Sequence, residues 1–177
     1  MTTALLLILS LITFRPGPDI SKNLHGAWKS DSGVVIFSGN YFSYADFTKT
    51  EFQYTYGGTW KIDDNKLVLT YEFDTKTPDR VGTSKGVDLL INGKSMDFDD
   101  NKFSLIDHGK PGKLTGAWLF SNRYRDGKLG TPRDTSSPRK TLKILSGTRF
   151  QWVAYNKDTK QFMGTGGGTY TTKDGKY

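Results

Sequence analysis

The chain has 177 residues, no cysteine and a formal net charge of +7, which excludes disulfides, a thiolate nucleophile and Cys-ligated zinc. Aromatic residues make up 14% of it and glycines number 20. Long helical periodicity is absent, and that combination points to an all-β class. The charge is uneven, with 12 basic and 4 acidic residues from Leu114 onward against 13 and 14 before it, so an anion-facing surface is expected only in the later part.

In chain order, Ala4–Phe14 is an apolar run broken by Arg15-Pro16-Gly17-Pro18. A membrane span needs about 20 apolar residues, so residues 1–19 read as a secretory signal peptide or leader. The expected compartment is outside the cell or in the periplasm and cell envelope. Short apolar-aromatic runs then alternate with turn residues, as in a β-meander. Strands are expected at His25–Ser30, Val34–Ser38, Tyr41–Phe47, Phe52–Ile62, Lys66–Phe73, Lys85–Ile91, Ser95–Phe98 and Phe103–Ile106. Asp63-Asp64-Asn65 and Asn92-Gly93 are hairpin signals between them. Eight such strands are enough to close a small barrel. His108-Gly109-Lys110-Pro111-Gly112 has linker composition. Beyond it, strands are expected at Gly116–Arg123, Lys140–Leu145, Arg149–Tyr155 and Phe162–Thr171, with a long loop from Tyr124 to Pro138.

The order of these segments repeats. Leu24-His25-Gly26-Ala27-Trp28 returns as Leu114-Thr115-Gly116-Ala117-Trp118. Ile36–Gly39 and Phe42–Ala45 return as Ile144–Gly147 and Phe150–Val153, and Gly57-Gly58-Thr59-Trp60 returns as Gly167-Gly168-Thr169-Tyr170. Residues 22–112 therefore form a first repeat and 113–177 a second, which lacks a counterpart of everything after Leu67. The expectation is a C-terminally truncated second copy within a piece of a longer protein. A single barrel built from both copies is the alternative.

Gly-x-Trp opening each copy suits an indole plugging a barrel end, with glycine allowing close backbone approach. Gly26, Trp28, Gly116 and Trp118 are thus expected to be structural. This opening, followed in copy two by Pro138-Arg139-Lys140, Ile144–Trp152 and Gly164–Tyr170, resembles a family of bacterial secreted lipocalin-like (calycin-type) domains of unknown function. The resemblance spans Leu24 to Tyr177. It implies tandem lipocalin-like antiparallel up-and-down β-barrels.

Chemistry is sparse. His25 and His108 are the sole histidines, and no nucleophile–base order or zinc spacing accompanies them. No catalytic residue, metal or cofactor is expected. Gly164–Gly168 runs into a strand rather than a helix, so it reads as a bending strand and not a phosphate loop. Asp97–Asn101 opens like a calcium loop, but Lys102 and His108 stand where Gly and Glu are required. The aromatic set remains. Tyr44, Tyr54, Tyr56 and Trp60 in copy one, with Arg149, Trp152 and Phe162 in copy two, are the candidate contacts for a small hydrophobic or amphiphilic ligand. The alternative is a filled barrel that binds a protein or glycan through surface loops. Arg123, Arg125, Lys128, Arg133, Arg139 and Lys140 would then face an anionic surface or glycan, in preference to nucleic acid.

Overall fold

The structure is a computed structural model that describes residues 20–64 and 66–177. The expected leader lies outside the described residues. A short helix, α1 (Ile20–Leu24), precedes β1 (Gly26–Lys29), β2 (Gly33–Ser38), β3 (Tyr41–Phe47), β4 (Phe52–Asp63) and β5 (Lys66–Asp74). A 3-10 turn at Pro78–Arg80 leads to β6 (Ser84–Val87), β7 (Leu89–Asn92), β8 (Ser95–Phe98) and β9 (Asn101–Asp107). The later part holds β10 (Gly116–Leu119), β11 (Tyr124–Arg125), β12 (Lys128–Leu129), β13 (Arg139–Leu145), β14 (Arg149–Asn156) and β15 (Gln161–Thr169).

Strands β1 to β9 form one antiparallel sheet in the order β6-β5-β4-β3-β2-β1-β9-β8-β7. Its two edge strands, β6 and β7, are separated in the chain by Asp88 alone, so the sheet curls into a nearly closed barrel. The single strand expected over Lys85–Ile91 is therefore two. The chain leaves one edge after Val87, which pairs with Leu67, and joins the other at Leu89, which pairs with Phe98. A contiguous apolar run carries no signal of such a change of partner.

The later strands form a four-stranded antiparallel sheet, β10-β13-β14-β15, with β11 and β12 making a separate hairpin inside the expected long loop. The pairing Gly26↔Phe37, Ala27↔Ile36 and Trp28↔Val35 has the same register as Gly116↔Leu145, Ala117↔Ile144 and Trp118↔Lys143. The same holds for Phe42↔Gly58 and Phe150↔Gly168. Each Gly-x-Trp motif is also wired alike. The Trp28 indole N–H donates to the Leu24 carbonyl at 2.9 Å and that of Trp118 to the Leu114 carbonyl at 3.0 Å. Gly26 has φ +133°, and a β-carbon there would lie 1.9 Å from the Asp107 carbonyl oxygen, so the position requires glycine.

Two cores follow from strand alternation, with the β-bulge between β4 and β5 at Gly57–Gly58 turning Phe73 to the face opposite Tyr71. The first fills the barrel and includes Trp28, Phe37, Phe42, Tyr71, Met96 and Phe98. The second lies outside it, where Ala27, Ile36, Tyr41 and Phe73 of the barrel's outer wall meet Leu142, Ile144, Val153 and Tyr155 of the four-stranded sheet. Strand β2 is consequently covered on both faces, and Val35, Ile36 and Phe37 are all buried. That is why it reads as an unbroken apolar run and not as an alternating one. Each fully buried large apolar side chain contributes about 1.5–3 kcal/mol.

The junction is clamped by Asp107, a buried carboxylate at the end of β9. It accepts hydrogen bonds from the Ser146 hydroxyl (2.9 Å), the Gly147 N–H (2.7 Å), the Thr148 N–H (3.0 Å) and hydroxyl (2.6 Å), and the Gly109 N–H (2.8 Å). The β13–β14 turn is thereby fastened to the end of the barrel, and the linker composition conceals a fixed joint. Asp107→Ala strands several of these donors and should destabilise the protein by about 3 kcal/mol. Urea unfolding checks this, with Asp107→Asn expected to fall between the variant and the parent.

Candidate functional site

Three places are candidates: the barrel interior, a groove beside β15 and the β11–β12 hairpin. The interior is occupied by its own rings. Phe37 and Phe98 centroids lie 5.5 Å apart, Tyr44 and Tyr56 5.0 Å, and Phe42 and Tyr71 6.0 Å. Of the expected ligand contacts, Tyr44 and Tyr56 are buried there and Tyr54 and Trp60 pack partly buried against the same cluster. Tyr44 is held by Ser32 and Asp46, each at 3.2 Å, and the Trp60 indole donates to the Tyr41 carbonyl at 3.1 Å.

One end of the barrel carries a cation stack. Arg80 lies 4.1 Å over the Tyr71 ring and 4.6 Å over that of Tyr56, and its Nε donates to Asp74 at 2.6 Å. The turn that begins at Pro78 delivers Arg80 here. Nothing in the residue spacing marks this stack, because it depends on the turn after β5 folding back over rings of β4 and β5.

The groove lies outside the barrel and has a volume of about 830 Å³. Val34, Ile36, Ala45, Phe47, Phe52 and Ile106 form its barrel side. Arg149, Phe150, Phe162 and the Gly164–Thr169 edge form the other. Arg149 and Phe162, two of the expected contacts, are therefore together here. Trp152, 39% exposed, stands beside the same strand. A β-carbon at Gly166 would sit 2.6 Å from the Trp152 indole nitrogen, so the glycine run makes room for that ring. Gln151 ties the groove floor to the barrel, accepting from Ser43 and donating to Thr55 and Thr165 at 2.9 Å each.

The hairpin gathers Arg123, Arg125, Lys128 and Arg133 around a depression of about 470 Å³. Arg139 is exposed nearby in sequence, at the start of β13. Lys140 is used elsewhere. Its ammonium donates to Glu72 at 2.8 and 3.1 Å and to the Tyr41 hydroxyl at 3.3 Å, while Tyr155 donates to the same Glu72 carboxylate. Lys140 thus joins β13 to β5 instead of presenting charge to a partner. Among the described residues, no group of three or more His, Asp or Glu is placed to hold a metal ion.

Comparison with protein-family models, with curated proteins and with solved structures finds no match. The class is accordingly defined by the fold and its surfaces: an all-β protein with a nearly closed antiparallel barrel and a second sheet packed on its wall.

Burial raises the phenols of Tyr56, Tyr71 and Tyr155, and pushes Tyr54 up to about 12 with help from Tyr44 and Asp46. Burial alone would lower the Lys140 ammonium, but the hydrogen bond and charge of Glu72 outweigh it and raise it. All these shifts run upward, so the folded chain holds protons that the unfolded chain releases above a pH of about 10. These groups should therefore lower stability steadily from about pH 10 through pH 12, as thermal unfolding across that range will register. Lys140→Met leaves Glu72 buried without its cation and should cost about 3 kcal/mol or more. The double variant Glu72→Leu/Lys140→Met should cost less than the single one in the same denaturant titration.

Proposed function

We propose that this protein is a non-catalytic binding module that recognises partners with its outer surfaces. The observation that carries the reading is the packed interior. Trp28, Phe37, Phe42, Tyr71 and Phe98 are each no more than 1% exposed and lie in one cluster across the barrel. A lipocalin-type carrier needs that space empty. The outer wall, by contrast, offers the apolar groove beside β15 and the basic hairpin around Arg123 and Arg133.

A second reading, a carrier of a small hydrophobic or amphiphilic molecule, is favoured by one feature. The groove has the size of a ligand pocket and an apolar lining in which Arg149 supplies a cation. On either reading, the chain is two tandem lipocalin-like units acting outside the cell or in its envelope. Shared registers at β1–β2 and β10–β13 support the tandem relation. So does the turn after β15, where Lys173 bridges Lys176 as Asp63 pairs with Lys66.

Native mass spectrometry of the protein purified from its host tests this reading. A bare mass is expected, or a bound amphiphile displaced by Phe162→Glu in the groove. A bound molecule lost from Tyr56→Ala, yet retained by Phe162→Glu, would overturn it and restore the barrel interior as the site.

A further inference from the structure

The connection from β10 to β13 spans residues 120–138, whereas the matching connection from β1 to β2 is residues 30–32. The β11–β12 hairpin is therefore an insertion that the first unit lacks. In that first unit, whose barrel is nearly closed, the matching turn residues Asp31 and Ser32 are exposed. Exposure at this end of a unit thus does not depend on how many strands its sheet has.

The inserted segment is a built feature. Asp126 and Gly127 have φ +50° and +75°, the tight hairpin turn in which both central residues are left-handed. At its base, the Asn122 side-chain amide donates to the Gly130 carbonyl at 3.0 Å, and the Arg133 N–H to the Ser121 carbonyl at 2.9 Å. The hairpin is preformed, so binding through it orders little chain. Tyr124 pairs with Leu129 and Arg125 with Lys128, which puts one pair on each face. Tyr124 is 71% and Leu129 67% exposed, the two most exposed large apolar side chains among the described residues.

Arg123 and Arg133 join Arg125 and Lys128 around the depression of about 470 Å³. Among the described residues, none of these four cations forms an ion pair. Asp126 is the one carboxylate between Arg123 and Arg133. A sulfated glycan or a nucleic acid would use the cations but offer nothing apolar to Leu129. A bilayer of anionic lipid offers phosphates to the cations and hydrocarbon to Leu129, and a phenol suits the boundary between them.

We propose that the β11–β12 hairpin docks this protein on an anionic lipid bilayer. Tyr124 and Leu129 enter the headgroup boundary, and the four cations reach the phosphate level on their flexible stems. This rests on the reading that recognition occurs on the outer surface, and it names the partner.

The probe is co-sedimentation of the full chain with vesicles of phosphatidylcholine and phosphatidylglycerol in equal parts, against vesicles of phosphatidylcholine alone. Binding to the anionic vesicles is expected, and it should weaken as salt rises. Arg125→Gln/Lys128→Gln should weaken it about tenfold or more, and Tyr124→Ser/Leu129→Ser by a similar factor. Leu90→Ser, at a comparably exposed apolar residue on β7, should leave it unchanged. Equal binding to both kinds of vesicle, or to neither, overturns the proposal. So does binding that survives either double substitution. Retention on heparin that is stronger than vesicle binding and indifferent to Tyr124→Ser/Leu129→Ser also overturns it, because the partner is then a soluble polyanion. A ligand inside the barrel would be found by mass spectrometry whichever way the vesicles behave, so the two readings fail separately.

Discussion

The outer wall of the barrel is half of another core. Four strands with one open side cannot bury their apolar face alone, and β10, β13, β14 and β15 do so by lying on Ala27, Ile36, Tyr41 and Phe73. Packing alone would allow the sheet to slide. Polar fixtures prevent it: Asp107 at the β13–β14 turn, Gln151 bonded to Ser43 and Thr55 midway, and the Glu72–Lys140–Tyr155 group at the other end of β13 and β14. Buried polar groups of this kind tolerate one arrangement only, because any shift leaves a charge without its partners.

The same contact decides which surfaces remain for function. The second sheet turns its other face outward, with Trp118 56% exposed although its counterpart Trp28 is fully buried. Identical local wiring therefore produces a core indole in one half and a surface indole in the other. The difference lies in what surrounds each: nine strands around Trp28, four in the sheet that carries Trp118. The groove arises from the same inequality, because Phe73 of β5 packs on Tyr155 while Phe47, the residue that matches Tyr155 in the repeat, stays 48% exposed.

Strands β3 and β8 were legible to the residue, since Gly39-Asn40 precedes β3 and the Asn92-Gly93 and Asp99-Asp100 turns bracket β8. The paired registers of the two halves were legible as well, because a repeat in sequence order becomes a repeat in pairing order. The break at Asp88 was not, for the sequence is continuous where the sheet changes edge. Nor was the outer-wall core. Ile36 and Leu142 look like ordinary strand residues until the two sheets meet. Tyr44 and Tyr56 read as ligand contacts and pack within the barrel cluster, because no pattern of residues distinguishes rings that line a space from rings that fill it. Lys140 read as part of a basic surface, because its partner Glu72 lies far away in the chain.

The dependence of the second sheet on the barrel wall is tested most directly by hydrogen exchange on full-length Ile144→Asp, which buries a charge in the shared core without touching the barrel interior. Loss of amide protection confined to β10, β13, β14 and β15, with β1 to β9 still protected, is the expected result. Unchanged protection in the four-stranded sheet, or its loss evenly across both sheets, would contradict that dependence.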